Sequence, residues 1–336
     1  MKVGLLGPIA WRTPPLHYGP WEQVTSLLAE GLVARGVDVT LFATLDSVTS
    51  ATLAGVSPRG YAEDSGVDGR VMEALHVAYA FERSGEFDLV HNHLDWLPLA
   101  FSAHCEAPLL TTIHGFSGPK IVPAYAAAKS AYVSISNADR APQLDYLATV
   151  YHGIDLDALP FSATGGEDLV ILGRIHPDKG TADAIDIARR AGRRLVIAGI
   201  VQDEGYFTEL VRPHIDDDRV VYLGSVGPAQ RAQVLGSALA LLHPIAFAEP
   251  FGLSVVESIA SGTPVIAYPL GAMPEVVDEG VTGFLVEGPV AAAAAVTRVN
   301  ELDRSECRRV AQRRFSAARM VEDYLFVYGQ LLDRSG

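Results

Sequence analysis

The chain has little cysteine, no long uncharged apolar run and a shortage of basic residues. Only Cys105 and Cys307 occur in 336 residues, which is too few for a disulfide framework and lacks the paired spacing of a zinc site. No stretch of about 18 apolar residues is free of charge, so we expect no membrane-spanning helix. The 26 basic and 40 acidic residues give a net charge of -14, the opposite of what a nucleic-acid groove needs. These absences favour a reducing compartment and argue against a nucleic-acid partner.

The composition is that of a folded, soluble chain. Hydrophobic residues make up 49% and charged residues 20% of it, which argues against disorder, and the length favours two domains. The apolar run within Met1–Pro8 is too short for the core of a signal peptide. The first 157 residues contain nine scattered basic residues, without the basic cluster of a membrane-binding surface. We therefore expect a cytoplasmic protein that does not associate with membranes.

Short apolar runs alternate with amphipathic segments along the chain. This alternation predicts parallel β-sheets covered by helices on both faces. The predicted strands are 2–6, 37–42, 88–92, 109–113, 169–172, 195–198, 220–223, 238–242 and 265–267, and the predicted helices of the first half are 21–35, 66–84 and 95–105. The order predicts an α/β protein with two Rossmann-like domains. Ligand crevices in such sheets lie at the carboxyl ends of the strands, so the residues just after each strand are candidates for the site.

A segment with the composition of a linker separates the two halves. Residues 156–168 are rich in Gly, Ser, Ala and acidic residues, as linkers are. The last segment carries apolar residues at helical spacing from Met320 to Leu331. We predict a first domain over 1–158, a second domain over 159–314 and a terminal helix over 315–336.

Two cationic side chains follow the first strand of the second half. Arg174 and Lys179 lie five positions apart in the segment Gly173–Gly180, just before a predicted helix start near Thr181. Fixed positive charge beside a helix N-terminus suits a diphosphate. An ordinary solvated loop is the alternative, because the spacing alone matches no general phosphate-binding motif.

Two carboxylates eight positions apart, Glu249 and Glu257, form the most specific segment. If Gly252 and Leu253 open a helix, its free amides can hold a negative group, with Phe251 and Glu249 in the loop before it. Carboxylates also suit hydroxyl-rich ligands, since each can accept hydrogen bonds from a vicinal diol. The alternative for Glu257 is a solvated position on the helix surface.

These segments resemble the sugar-nucleotide-binding domain of the retaining glycosyltransferases of family 4. Residues Glu249–Glu257 resemble the family's E-x7-E segment, and Gly173–Gly180 resembles its G-R-x-x-x-x-K-G segment. Three further segments also resemble the family: Ser261–Ala267, Gly271–Val277 and Gly280–Val286. The likeness covers about 170–287. It implies the GT-B fold, in which two Rossmann-like domains face each other across a cleft and a C-terminal helix crosses back onto the first domain.

The resemblance also implies a nucleoside diphosphate sugar donor and a role for each residue. Arg174 and Lys179 would bind the donor diphosphate, Glu257 the ribose hydroxyls, and Glu249 the transferred sugar. Backbone amides within Phe251–Leu253 would complete the donor site. The implied reaction moves a hexose to a hydroxyl acceptor, small or saccharide, with retention of configuration. Positive charge and helix amides would stabilise the leaving group, so no metal ion or other cofactor is expected.

Histidines follow two strands of the first half. His114 stands where the family has a histidine near the donor sugar and the acceptor, and we predict a catalytic or acceptor-side role for it. A purely structural histidine is the alternative. His91 and His93 point to the same strand face, and we expect them to form a polar wall of the acceptor pocket. Together with Asp95 they could instead be read as metal ligands.

Two segments of the first half depart from the family pattern. Residues 17–22 lie where the family carries a glycine pair and a Glu before the first helix. Here Pro20 replaces the second glycine and removes one amide, so Gly19 is the donor-binding candidate. The turn Tyr151–Asp155 resembles the family's N-G-[IV]-D turn, with His152 in place of Asn.

Aromatic residues near the strand ends could stack on sugar rings or simply fill the core. They are Trp11, Tyr18, Trp21 and Trp96. We expect core packing to be favoured for Trp96 and assign none of the four a specificity role.

Three other functions remain open at this stage. An epimerase or hydrolase of nucleotide sugars would use the same fold and would need no separate acceptor. A nicotinamide-dependent dehydrogenase also has two Rossmann-like halves, but Gly7–Pro8 replaces the expected glycine-rich turn. A two-lobed sugar-binding protein would bind without turnover and would normally carry a secretion signal.

Overall fold

In a computed structural model the chain divides into two compact units. The structure describes residues 1–17, 19–115 and 117–335, except for the side chain of residue 335. The first unit combines residues 1–153 with 317–336, and the second unit comprises residues 154–316. The α/β fold with two Rossmann-like domains is therefore confirmed.

The described part of the first unit contains a seven-stranded parallel sheet with the strand order 3-2-1-4-5-6-7. Its strands are β1 (Lys2–Leu6), β2 (Asp38–Phe42), β3 (Thr52–Ala54), β4 (Leu89–Asn92), β5 (Leu109–Ile113), β6 (Ala131–Ser134) and β7 (Tyr146–Thr149). Its helices include α1 (Pro20–Val33), α2 (Gly69–Glu82) and α3 (Val122–Ala127), with 3-10 segments at Tyr61–Glu63, Ser84–Glu86 and Leu97–His104. The central strand β1 buries four of its five residues, because helices cover both sheet faces.

The described part of the second unit contains a six-stranded parallel sheet with the strand order 10-9-8-11-12-13. Its strands are β8 (Leu169–Leu172), β9 (Leu195–Ala198), β10 (Val220–Tyr222), β11 (Ala240–His243), β12 (Val265–Ala267) and β13 (Gly283–Leu285). Its α-helices are α4 (Thr181–Ala191), α5 (Glu204–Tyr206), α6 (Pro228–Ser237), α7 (Leu253–Ala260), α8 (Met273–Val276), α9 (Gly288–Val296) and α10 (Arg304–Phe315). A π-helical turn at Phe207–Val211 and 3-10 turns at Pro177–Lys179, Arg212–His214 and Val299–Glu301 complete it.

The final helix, α11 (Ala317–Ser335), follows the second unit in the chain but belongs to the first. Its apolar stripe is buried there, with Tyr324 and Tyr328 fully inaccessible to solvent. Gly31 of α1 lies directly against Val321 of α11, and Arg35 forms an ion pair with Glu322. The predicted return of the terminal helix to the first domain is confirmed. None of the helices in the described residues is long and apolar enough to cross a membrane.

The units divide at 153/154 and 316/317, whereas the sequence placed the divisions at 158/159 and 314/315. The first difference arises because the predicted linker is anchored on the second unit. Ile154 donates its amide to Phe315 at 2.8 Å, and Arg308 donates to the carbonyls of Leu156 and Leu159. The second arises because α10 runs to Phe315 and Ser316 is extended. The roles assigned to the two domains stay predictions.

In each sheet the strand order reverses beside the first strand of that unit. Strand β1 lies between β2 and β4, and β8 lies between β9 and β11. Parallel sheets bind ligands outside the carboxyl ends of their strands at such reversal points. The loops after β1 and β4 in the first unit, and after β8 and β11 in the second, are therefore the candidate positions of a site.

Candidate functional site

In the second unit, the loops after β8 and β11 are joined to each other. Gly180 adopts a left-handed conformation with φ of 68°, and a Cβ at this position would collide with the carbonyl oxygen of Pro244. Ala246 donates its amide to the Asp178 carbonyl at 2.8 Å. Only glycine permits both this backbone angle and this close approach. The segment that carries Arg174 and Lys179 is thus fixed against the loop that leads to Glu249.

The loop after β12 supports Glu249 from the other side. Gly271 has a φ of 60°, and its Cα faces the backbone of Glu249 so closely that a side chain would not fit. Ala272 donates its amide to the Glu249 carbonyl at 2.8 Å. Three segments that lie far apart in the sequence, 173–180, 249–257 and 271–277, therefore meet at one edge of the sheet.

Lys179 and Glu249 form an ion pair in this cluster. The Lys179 Nζ lies 2.6 Å from Glu249 Oε2, and the two side chains are only 16% and 12% exposed. The ammonium group also lies 4.6 Å from the ring centroid of Phe247. Burial acts to raise the pKa of Glu249, but His243 and the charge of Lys179 outweigh it and lower the pKa to about 2. Glu249 is therefore an ionised carboxylate at neutral pH.

His243 reaches this carboxylate less closely than Lys179 does. Its Nε2 lies 3.5 Å from Glu249 Oε2, which is longer than a well-formed hydrogen bond. This contact therefore lacks the geometry of a good hydrogen bond, and Lys179 is the closer partner of Glu249.

Arg174 lies on the same loop as Lys179 and is half-buried. Its Nη1 donates to the Oε1 of Gln202. The neighbouring Ile175 pairs with Val201 in a parallel bridge, which ties the Arg174 backbone to the segment after β9. The guanidinium is thus held at the same edge of the sheet as the Lys179–Glu249 pair.

Gly252 begins helix α7 as predicted. It is the N-cap residue with a left-handed φ of 91°. The amides of Leu253 and Ser254 that follow have no carbonyl of the helix to donate to, whereas Val255 donates to the Gly252 carbonyl at 3.0 Å. The Phe251 side chain is 2% exposed and packs against Phe315 with ring centroids 6.0 Å apart. Its ring therefore belongs to the core, and only its backbone can serve a ligand at this position.

Glu257 is one turn inside α7 and is not a solvated surface residue. Its side chain is 12% exposed, and its Oε1 lies 3.4 Å from Nη2 of Arg231 on α6. Burial raises the pKa of Glu257, and the charge of Arg231 offsets part of that rise. This burial overturns the alternative that Glu257 is a surface helical residue.

The first unit contains a chain of four contacting histidines, which we call the histidine chain: His91, His93, His114 and His152. The closest contact joins His93 Nδ1 to His114 Nε2 at 2.9 Å. Weaker contacts of 3.3 Å join His91 Nδ1 to His93 Nε2 and His114 Nδ1 to His152 Nε2. Both ring nitrogens of His114 therefore face another histidine.

Burial keeps these histidines neutral. The side chains of His91 and His93 are fully buried, and His114 and His152 are 6% and 3% exposed. Burial lowers the pKa of His114 to about 3 and lowers the pKa of the other three well below the usual value. The acceptor-side roles of His91, His93 and His114 stay predictions, since none of these rings is exposed here.

The alternative of a metal site at His91, His93 and Asp95 gains no support. Asp95 instead accepts a hydrogen bond from the Tyr125 hydroxyl at 2.6 Å. In residues 1–17, 19–115 and 117–335, no group of three or more His, Cys, Asp or Glu side chains could hold a metal ion.

Gly19 is the N-cap of α1, with Pro20 in the first helical position. The first turn holds the buried Glu22, whose Oε1 accepts the Trp11 amide at 3.2 Å. Burial raises the pKa of Glu22 to about 7 despite backbone hydrogen bonds that lower it. The donor-binding role of Gly19 stays a prediction.

The aromatic candidates are dispersed. Trp21 stacks on His114 with centroids 5.3 Å apart, and Trp11 is half-buried. Trp96 is 42% exposed, so the expectation that it fills the core is wrong. Tyr18 lies outside the described residues.

Comparison with known proteins agrees with this geometry. Residues 160–318 match the family model of the glycosyl transferases group 1. The glycogen synthase of Mycobacterium tuberculosis is 27% identical over an alignment of 376 residues, which covers 93% of this chain and 88% of that protein. The crystal structure of AviGT4, a glycosyltransferase involved in avilamycin A biosynthesis, superimposes with a TM-score of 0.78 at 26% identity, covering 99% of this chain and 98% of the other. The chain is a GT-B glycosyltransferase.

A further structure shares the fold of this GT-B glycosyltransferase. HepE of Anabaena, solved in complex with UDP-glucose, has a TM-score of 0.73 at 18% identity and covers 98% of this chain and 100% of its own. The family match lies within the second unit apart from its last two residues. That is the unit in which the selected loops converge.

Sequence reasoning missed several partners in this glycosyltransferase. They are Gln202 beside Arg174, Arg231 beside Glu257, His243 beside Glu249, and Tyr328 beside His91. No motif links these pairs, because each partner comes from a different element. Strand-end position would have identified only His243, the last residue of β11.

Proposed function

We propose that this GT-B glycosyltransferase transfers a hexose from a nucleoside diphosphate sugar to a hydroxyl acceptor, with retention of anomeric configuration and without a metal ion. The observation that carries the proposal is the cluster of Lys179, Glu249 and the α7 N-terminus. It combines a buried cation, a buried carboxylate and free helix amides at the carboxyl edge of one parallel sheet.

The cationic part of the cluster suits the leaving nucleoside diphosphate. Negative charge develops on its phosphate oxygens as the bond to the sugar breaks, and preorganised cations and helix amides stabilise such charge. Lys179 and Arg174 supply two cations, and the amides after Gly252 supply neutral donors. This arrangement performs the role that a divalent cation has in metal-dependent transferases.

The two carboxylates suit different parts of the donor. Glu257, buried in α7, has the acceptor oxygens that a ribose diol requires. Glu249 is ionised, and its negative charge favours the positive charge that develops at the anomeric carbon. Glu249 holds Lys179 in an ion pair, so donor binding must divide that ammonium between the carboxylate and the diphosphate.

Retention follows from the resemblance to family 4. HepE, which shares the fold and was solved with UDP-glucose, supports a nucleotide sugar as donor. In the first unit, His114 is the proposed catalytic histidine, with the function of binding a hydroxyl of the sugar or of the acceptor.

A donor screen followed by product analysis tests the proposal. Thermal shifts with UDP, GDP, ADP, TDP and their sugars identify the donor, because a ligand of the native state raises its melting temperature. Release of the nucleoside diphosphate is then measured in excess EDTA, with and without candidate sugar and polyol acceptors. We expect acceptor-dependent release and a product with the anomeric configuration of the donor, read by proton NMR.

Three results would contradict the proposal. Full-rate turnover of the donor alone would indicate an epimerase or hydrolase. Binding of a nucleotide sugar with no turnover under any acceptor would indicate a binding protein. Activity that vanishes in EDTA and returns with magnesium or manganese would contradict metal independence.

A further inference from the structure

The histidine chain ends on a tyrosine of the C-terminal helix. The Tyr328 hydroxyl of α11 lies 2.8 Å from His91 Nδ1. The other ring nitrogen of His91, Nε2, lies 2.8 Å from the Thr112 hydroxyl, which in turn lies 2.8 Å from the Tyr324 hydroxyl. Two tyrosines one turn apart on α11 thus reach the same histidine, one directly and one through a threonine.

The neutral state of the histidines restricts how their protons can be arranged. A neutral imidazole has one N–H donor and one bare nitrogen acceptor. Along the histidine chain, the Nδ1 of each of the first three rings faces the Nε2 of the next ring, from His91 to His152. The three histidine–histidine contacts therefore each join a donor to an acceptor in only two ways: every ring carries its proton on Nε2, or every ring carries it on Nδ1.

Tyr328 distinguishes between these two arrangements. Its hydroxyl is fully buried, and His91 Nδ1 is its only hydrogen-bond partner in the part of the chain that the structure describes. If Nδ1 of His91 carried the proton, the phenolic O–H would be left buried without an acceptor. An unsatisfied buried donor costs more than an unused lone pair. The phenol therefore donates, and His91 Nδ1 is bare.

We infer that Tyr328 acts as a positioning residue, setting the tautomer of His114 through His91 and His93, so that His114 carries its proton on Nε2. The single lone pair of His91 Nδ1 then accepts the Tyr328 hydroxyl at 2.8 Å and, more weakly, the Nε2–H of His93 at 3.3 Å. A bare His93 Nε2 would instead set two lone pairs against each other, so His93 carries its proton on Nε2, and His114 donates from Nε2 to His93 Nδ1. The bare Nδ1 of His114 then faces His152 at 3.3 Å, the weaker of its two contacts.

The functional consequence rests on the proposed role of His114. A bare Nδ1 can accept a hydrogen bond from a hydroxyl of the sugar or acceptor once the long contact to His152 opens. The opposite tautomer would present an N–H at this nitrogen and could only donate. The C-terminal helix would thus determine which kind of hydrogen bond His114 offers to a substrate.

Nitrogen-15 NMR of histidine-labelled protein tests the tautomer without an activity assay. Long-range proton–nitrogen correlations distinguish Nε2–H from Nδ1–H rings, and a His114→Gln spectrum assigns the His114 signals. We expect His114 to be an Nε2–H tautomer in the wild-type chain. Tyr328→Phe removes the hydroxyl and keeps the ring, and should shift His114 toward a mixture of tautomers.

Tyr324→Phe is the matched control. Tyr324 is also fully buried and also makes a 2.8 Å hydroxyl contact, so both variants lose one buried hydrogen bond. Its partner is a threonine hydroxyl, which can donate or accept and so imposes no direction on His91. We expect Tyr324→Phe to leave the His114 tautomer unchanged. An Nδ1–H tautomer in the wild type, or identical tautomers in all three proteins, would overturn the inference.

Kinetics connect the tautomer to the reaction. Once a donor is known, kcat should fall about tenfold in Tyr328→Phe and stay within about twofold in Tyr324→Phe, with KM for the donor unchanged in both. His114→Ala separates the two proposals. If it is fully active, the proposed role of His114 fails, whatever the tautomer is. If it is inactive while Tyr328→Phe has the wild-type tautomer and kcat, only the inference about Tyr328 fails.

Discussion

Among individual side chains, Glu249 and Glu257 show how one segment produces two different carboxylates. Glu249 sits beside Lys179 and has a pKa lowered to about 2 against the effect of burial. Glu257 sits in α7, where burial raises its pKa and Arg231 opposes the rise only in part. One group is a firmly ionised carboxylate, and the other is held more weakly in its charged form.

We predict different kinetic effects when each glutamate is replaced by glutamine. Glu257→Gln should mainly weaken binding of the donor and of the nucleoside diphosphate, because a ribose contact serves the ground state and the transition state alike. Glu249→Gln should lower kcat and leave nucleoside diphosphate affinity close to normal, because its charge matters most as the anomeric carbon becomes positive. Calorimetric titration and steady-state kinetics on both variants make the comparison. Equal losses of nucleotide affinity would show that the roles are not divided in this way.

The candidate site residues that sequence could select were those in short local segments with a recognisable spacing. Spacing indicated Lys179, Glu249 and Glu257, and the structure places each of them at the sheet edge. Contacts across the sequence were not readable. The pair of Arg231 with Glu257 joins two helices, and the contact between His91 and Tyr328 spans 237 positions. Such pairs depend on tertiary packing, which no local pattern encodes.

Among helices, strands and loops, the two glycines that flank α4 offer a controlled comparison. Gly180 and Gly192 have φ of 68° and 64°. A Cβ at Gly180 would meet the Pro244 carbonyl, whereas a Cβ at Gly192 would meet no atom within 4 Å. At both positions a residue with a Cβ would be strained by the left-handed backbone. Only at Gly180 would its Cβ also collide with another segment.

We predict that Gly192→Ala costs only the left-handed strain, about 1 kcal/mol of unfolding free energy. Gly180→Ala should cost more and should also separate the Lys179 loop from the Glu249 loop, so nucleoside diphosphate affinity should fall as well. Urea unfolding gives the first quantity and calorimetry the second. The joining of these loops would be unimportant for binding if both variants kept wild-type affinity.

Sequence patterns identified central strands better than short or peripheral ones. The predicted strands 109–113, 169–172, 195–198 and 265–267 coincide with β5, β8, β9 and β12. Strands β3, β6, β7 and β13 were missed. No residue of β3 or β7 is fully buried, so their apolar signal is weak. Strands β6 and β13 contain buried residues, but their apolar runs are too short to predict a strand. The predicted helix 95–105 is a 3-10 segment, Leu97–His104, because Asp95 has a φ of 66° and Pro98 lies in its first turn.

At the scale of the whole chain, the segments that match the family model and the histidine chain lie in different units. The family match and the converging loops lie in the second unit, apart from the last two matched residues, while the histidine chain and the C-terminal helix lie in the first. The net charge of the chain is -14, which by itself would repel a diphosphate. A diphosphate site therefore needs local cations, and Arg174 and Lys179 supply two of them.

Binding of a nucleoside diphosphate in excess chelator measures whether Lys179 holds the leaving group. Titrations should compare the wild-type chain with Lys179→Ala and with Arg189→Ala as control. Arg189 is in the last turn of α4, about 12 Å along the axis from its start, and its exposed charge pairs with Asp186, which also pairs with Arg190. Each variant thus loses one positive charge, but of the two residues only Lys179 belongs to the cluster.

We predict that one of UDP, GDP, ADP and TDP binds the wild-type chain and Arg189→Ala equally well without metal. Lys179→Ala should bind it at least about tenfold more weakly, and its turnover should fall by about 100-fold. The variant should also melt at a lower temperature than the parent, because the buried Glu249 carboxylate loses its partner. Binding that disappears in chelator, or one affinity shared by all three proteins, would contradict a metal-independent diphosphate site at Lys179.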